Sequence, residues 1–191
     1  CIVIFFIIAS VFSQCNCLNQ KLSVEKGIIT FITGTVTVNG RKPKVGQEIK
    51  DYDKIETGKD SAAIIQFGSA AFIALKAHSK ILIQTFAFTD GGMPKIKILQ
   101  TLGSTFNKIT RNKAKYTIKT PTATAGVRGT SFEVVVKKSK TDIKLLHGKV
   151  ATNSLKFTSK EYLLTTGNKI TISAKERKNS DKLTKKETAE L

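Results

Sequence analysis

The chain has 191 residues, is 40% hydrophobic with 11 Phe and no Trp, and carries only 3 Pro. That is enough apolar material for one packed domain with terminal appendages, and it excludes a collagen-like or wholly disordered polypeptide. Thirty-two Lys and Arg against 14 Asp and Glu leave a formal charge of +18, a balance that attracts polyanions such as nucleic acid, anionic headgroups or acidic polymers without naming one.

Residues 1–14 open with C-I-V-I-F-F-I-I-A-S-V-F, and no charged residue precedes Lys21. An apolar run of this length matches a secretory h-region and is short for a bilayer span, which takes roughly 20 residues. The missing Met and basic leader predict a chain truncated at its start. Residues 15–23 follow as a lipidation site and polar tether. Ser13-Gln14-Cys15-Asn16-Cys17 is similar to a bacterial lipoprotein cleavage site, with Cys15 or Cys17 as the acylated residue. Ordinary signal cleavage and a clipped transmembrane anchor are the two other readings of this segment. All three cysteines lie in the first 17 residues, so neither a disulfide framework nor a Cys-based metal site is expected further on.

Residues 24–174 read as an all-β domain of about a dozen short strands separated by Gly, Asn and Asp turns, a sandwich or a solenoid-like stack. The expected strands are 28–31, 35–38, 54–57, 62–67, 71–75, 80–88, 95–102, 116–120, 131–137, 142–146, 149–152, 162–165 and 169–173. Asn39-Gly40 is the strongest hairpin signal. Residues 103–114 are polar and basic and read as a long loop or one helical turn. Lysines alternate with apolar residues in Lys95-Ile96-Lys97-Ile98 and Lys115-Tyr116-Thr117-Ile118-Lys119, which predicts a solvated, lysine-lined sheet face. Residues 175–191 have few apolar positions and read as a flexible polar tail.

Chemistry-bearing constellations are sparse. His78 and His147 have no ligand-type residue at metal spacing, and no metal or cofactor is expected. Asp51, Asp53, Glu56 and Asp60 gather near one turn. A paired-carboxylate hydrolase site is one reading of that cluster, and a capped, solvated turn is the expectation. Phe86, Phe88 and Tyr116 among basic residues are the candidates for a base-stacking platform, and nucleic acid is not the expected partner. Arg is scarce, at Arg41, Arg111, Arg128 and Arg177, which leaves little for bidentate phosphate recognition.

The most informative stretch is T-P-T-A-T-A-G-V-R-G-T-S-F-E-V-V-V, residues 120–136. Pro121 belongs at a strand start or edge, Gly126 and Gly129 allow a bend or a close backbone approach, and Arg128 in this setting is expected to lie along carbonyls and tie two strands together. Thr120, Pro121, Ala125, Val127, Arg128, Gly129, Thr130, Phe132 and Val134 resemble the central motif of the FecR-type domain. Gly34 to Val38, Val45-Gly46 with Asp53 to Thr57, Ala62 to Leu75, Leu99 to Gly103 and Leu146 to Val150 resemble its other segments in order. The resemblance implies that the motif is critical to the fold and is not an active site. It also implies a non-enzymatic, exported envelope module, or else the periplasmic part of a transmembrane regulator acting on an anti-sigma/sigma system. A strand edge or basic face would then meet another envelope protein or an anionic envelope polymer, and a polyanion-binding basic β domain is the remaining alternative.

Overall fold

A computed structural model of the chain describes residues 26–88, 93–110, 114–155, 161–173 and 177–183. The apolar leader, Cys15, Cys17, the tether and residues 184–191 lie outside the described residues. Within them the protein is all-β. Fourteen strands run in chain order as β1 (Gly27–Thr33), β2 (Val36–Val38), β3 (Glu48–Ile49), β4 (Lys54–Thr57), β5 (Ala62–Phe67), β6 (Ala71–Leu75), β7 (Lys80–Phe88), β8 (Pro94–Ile109), β9 (Lys115–Lys119), β10 (Ala123–Lys137), β11 (Lys140–Ser154), β12 (Glu161–Thr165), β13 (Asn168–Ser173) and β14 (Arg177–Lys182).

Three long strands organise the molecule. The first half of β8 pairs with β7 and, in parallel, with β9, while its second half pairs with β6 and β10. β10 turns from β9 to β8 along its length, and β11 turns from β13 to β12. Two layers result. One runs β2-β4-β7-β8-β9-β10-β11-β12, the other β3-β1-β5-β6-β8-β10-β11-β13-β14, and β8, β10 and β11 belong to both. The arrangement is a sandwich, one of the two expected architectures. Its inner faces form a single apolar cluster that includes Ile29, Ile65, Ile83, Ile98, Val127, Phe132 and Leu145. Ring contacts cross between the layers: Phe67 of β5 meets Phe86 of β7 edge-on at 5.0 Å between centroids, and Tyr116 of β9 meets Phe132 of β10 at 6.1 Å.

The long loop or helical turn expected from residue 103 onward is corrected in its first part. Residues 103–109 continue β8, and they do so because parallel strands need a crossover; here the crossover from β8 to β9 runs through the opposite layer. The inward positions are Thr105 and Asn107, both fully buried, and the apolar Ile109, so two of the three inward residues are polar. Hydrogen bonds satisfy both. The Tyr116 hydroxyl donates to Asn107 Oδ1 at 2.6 Å, Asn107 Nδ2 donates to Thr105 Oγ1 at 3.0 Å, Thr105 Oγ1 donates to Gln100 Oε1 at 2.7 Å, and Gln100 Nε2 donates to the Val134 carbonyl at 3.1 Å. A satisfied chain of this kind removes most of the cost of burying polar groups. Burial pushes the Tyr116 phenol well above its ordinary pKa.

Gly103 is the pivot of β8. Its φ is +85°, and a Cβ there would stand 2.4 Å from Ser79 Cα, so the strand bends at Gly103 where a strand end is expected from sequence. Gly148 plays the same part in β11: φ is +97° and a Cβ would meet Thr130 Cγ2 at 2.6 Å. The two strands expected on either side of Gly148 are therefore one. Asn39-Gly40 closes a tight turn with φ of 51° and 75°, bridged between Val38 and Arg41, as a type I′ turn requires. Residues 177–182, expected as part of a flexible tail, pair as β14 with β13; a free sheet edge accepts a polar strand because the backbone supplies the pairing.

Candidate functional site: the β9–β10–β11 face

The segment 120–136 begins in the turn between β9 and β10. Pro121 sits in that turn, exposed, where no backbone donor is needed. Thr120 N donates to the Ala123 carbonyl at 2.8 Å, and Thr120 Oγ1 accepts from Ala123 N at 3.0 Å. The Thr141 hydroxyl of β11 contacts Thr120 Oγ1 at 2.8 Å and Thr122 Oγ1 at 2.7 Å, and Thr122 also donates to the Ile172 carbonyl of β13. Three buried hydroxyls thus fasten the turn to β11 and β13.

Beyond the turn, Ala123, Ala125 and Val127 point into the core, while Thr124, Gly126 and Arg128 point outward. Pairing with β11 runs regularly from Ala123 to Arg128 and then slips, so that Arg128 opposes Lys149 and Ser131 opposes His147. Gly129, at φ +59°, and Gly148 are the residues in this bulge. Thr130 is buried there with its Oγ1 unpartnered, and Phe132 and Val134 return to the core.

Two expectations for this segment are corrected. Arg128 does not lie along carbonyls. It is exposed and forms no hydrogen bond or ion pair among the described residues, because strand alternation turns it away from the sheet interior. Gly126 makes no bend and no close approach: the nearest atom to a Cβ there is the Ala151 carbonyl oxygen at 4.0 Å.

Gly126 instead forms the floor of an open depression of about 740 Å³ on the outer face of β9, β10, β11 and β12. In register across the strands lie Thr117, Gly126, Ala151 and Leu163. One step along, Lys95 of β8 opposes Lys115 of β9, and Arg128 of β10 opposes Lys149 of β11. Val127 opposes Tyr116, which carries Lys115 and Arg128 onto the same line. Lys97 and Lys119 flank that row on β8 and β9. None of these six cations has an acidic partner among the described residues. The alternating lysines are legible in the sequence; their alignment is not, since it depends on register between strands far apart in the chain.

The other predicted residues occupy structural positions. Asp51 Oδ1 accepts from Phe86 N at 2.6 Å, Asp53 accepts from Asn39 Nδ2 and Lys50 N, and Glu56 is held by Lys54 and Lys80, so these carboxylates cap turns and pair locally. The Lys54 ammonium 2.7 Å away, opposed by burial and aided by Lys80, keeps Glu56 below the usual carboxylate range. No group of three or more His, Cys, Asp or Glu is placed to hold a metal among the described residues. Of the three candidate stacking aromatics, Tyr116 is buried, Phe86 packs on Phe67, and the Phe88 side chain lies outside the described residues.

Sequence reasoning missed one buried ionic node. Glu133 of β10 is 4% exposed. Its Oε1 accepts from Lys76 Nζ at 2.8 Å and Ser104 Oγ at 2.7 Å, and its Oε2 lies 3.3 Å from Lys144 Nζ. Burial opposes ionisation here, but the Lys76 and Ser104 hydrogen bonds and the two lysine charges outweigh it and lower the pKa.

The sequence profile described as FecR protein matches residues 53–151, just over half of the chain. The chain belongs to the FecR protein family. The match runs from the turn before β4 into β11 and contains all of residues 120–136; the expected FecR-like segments at Gly34 to Val38 and Val45-Gly46 fall before it. No curated protein matches the chain. Among solved structures, two crystal structures of a candidate anti-sigma factor from Parabacteroides distasonis, at 1.65 and 2.50 Å resolution, share the fold with a TM-score of 0.56 and 15% identity. The similarity covers 68% of this chain and 59% of that one; the chain thus spans under two thirds of its structural relative.

Proposed function

We propose that this FecR-family protein is a non-enzymatic binding and signalling module of the bacterial cell envelope, exported and held at a membrane by a lipid on Cys15 or Cys17. The single observation that carries the reading is the family match over residues 53–151. The structure adds support through the use of its ionisable groups: Asp51, Asp53, Glu56 and Glu133 are engaged in turns and ion pairs. Such a module acts by contact, presenting a rigid β face to another envelope protein or an anionic polymer.

Export and acylation are tested by mass spectrometry of the mature N-terminus with and without globomycin. The expected result is an acylated cysteine, a membrane-fraction protein and blocked processing under the inhibitor. An unprocessed chain in the cytosolic fraction refutes the reading. A second reading, the periplasmic part of a transmembrane regulator, is favoured by the fold shared with a candidate anti-sigma factor. Sequencing the gene upstream of Cys1 separates the two: a cytoplasmic segment of some tens of residues selects the regulator, a short basic leader the lipoprotein.

A further inference from the structure

The geometry points to a binding site for an anionic saccharide on the outer face of β9, β10 and β11, with Lys115, Arg128 and Lys149 as its charged wall, Lys95 of β8 continuing the row beyond it, and Gly126 and Ala151 as its floor. This deepens the proposed envelope-binding role by naming a site and a ligand class, and it rests on that reading for its setting.

The charge row is the first argument. Neighbouring strands stand about 4.8 Å apart, so four cations on four adjacent strands span roughly 14 Å. Like charges directly opposite one another destabilise a sheet, and no carboxylate among the described residues relieves these. Some lysines elsewhere do have acidic partners, Lys76 and Lys144 in Glu133 and Lys54 and Lys80 in Glu56. The row is therefore a local cost that an anion removes.

The floor is the second argument. Gly126 and Ala151 are adjacent in register and leave room that larger side chains would fill. Thr117 presents a hydroxyl beside them, and Leu163, 63% exposed, offers an apolar surface at the far side. A sugar ring has matching parts: a flat C–H face for Leu163, hydroxyls for Thr117, and an acidic substituent for the row.

The same observations disfavour other anions. An acidic peptide binds β proteins by adding to an edge, but the residues of β9, β10 and β11 in this face are paired on both sides. Single-stranded nucleic acid needs exposed aromatics for stacking, and Tyr116 is buried. A membrane surface is flat, whereas this face is hollowed.

The test measures affinity of the 191-residue chain for oligogalacturonate and for a sulfated heparin-derived oligosaccharide, against polyphosphate and phosphatidylglycerol vesicles of matched charge. We expect the saccharides to bind more tightly than either comparator, with affinity falling roughly tenfold or more between 50 and 200 mM salt. Lys115→Glu with Lys149→Glu weakens saccharide binding at least 30-fold, while its melting temperature at low salt equals or exceeds the parent's, which excludes misfolding. Reversing the exposed Lys42 and Lys44 changes binding less than threefold. Gly126→Val fills the floor without touching charge; it weakens saccharide binding at least fivefold and leaves polyphosphate binding unchanged. Tighter binding to polyphosphate or vesicles, an indifferent Gly126→Val variant, or equal losses from the Lys42/Lys44 control overturns the inference. If saccharides do not bind while acylation and membrane location are found, the site assignment falls and the envelope role stands.

Discussion

Removing the Glu133 carboxylate is the sharpest probe of how β6, β8, β10 and β11 are tied together within one layer. Glu133 sits where β10 runs beside the second half of β8, opposite Phe106 on one side and Lys144 on the other. Glu133→Ala leaves Lys76, Lys144 and Ser104 without their shared acceptor. Breaking a fully buried pair by deleting one partner costs about 3–5 kcal/mol. Here Lys76 keeps 45% of its side-chain surface in water, which shields part of the loss, so about 2–3 kcal/mol is expected. In a domain of this size that lowers the melting temperature by roughly 4–12 °C. Glu133→Gln, which keeps an acceptor for Ser104 but loses the charge, falls between the variant and the parent. The pH dependence follows from the lowered pKa of Glu133. Its contribution is fully present above the unfolded carboxylate value, about 4.3 for Glu, and is lost as pH falls through the lower folded value. Urea denaturation of parent and variant between pH 3 and 7 reads this directly: the difference in stability shrinks on acidification. A difference under about 0.5 kcal/mol at pH 7, the level of an ordinary surface change, or one that does not vary with pH, refutes the account.

Further outcomes follow from particular atoms. Gly103→Ala forces a Cβ against the Ser79 backbone at positive φ and costs more than about 3 kcal/mol or abolishes folding, whereas Gly40→Ala, also at positive φ but in open space, costs about 1–2 kcal/mol; paired chemical denaturation compares them. Thr130→Val replaces a buried hydroxyl that has no partner with a methyl and is neutral or stabilising by up to about 1 kcal/mol, while Thr141→Val, which strips the shared partner of Thr120 and Thr122, costs about 1–3 kcal/mol. Tyr116→Phe leaves Asn107 Oδ1 without its donor and costs about 1–2 kcal/mol. In the parent, the Tyr116 phenol ionises only as the domain unfolds in alkali, so part of the rise in tyrosinate absorbance coincides with loss of the β circular-dichroism signal.

Much of the fold was legible in the chain. β4, β5, β6 and β7 have the bounds that alternation and turn residues predict, because a strand with one face in the core must alternate with period two and a hairpin must end on residues that tolerate its φ. The Asn39-Gly40 turn is local chemistry of the same kind. Alternation also placed lysines on an outer face, and it alone suffices to set Arg128 outward once 123–128 is recognised as strand.

What stayed hidden depends on contacts between distant residues. Gly103 and Gly148 look in sequence like strand ends, since a glycine that terminates a strand and one that bends it are the same residue; the close approach of Ser79 and Thr130 makes the difference. Thr105 and Asn107 look like loop, because a buried polar residue shows its satisfaction only through partners such as Gln100 and Tyr116. The alignment of Lys95, Lys115, Arg128 and Lys149 is likewise a matter of register. Each strand dictates which of its residues face out, but hydrogen bonding between strands sets which of them stand side by side, and a slip of one pair would scatter the row.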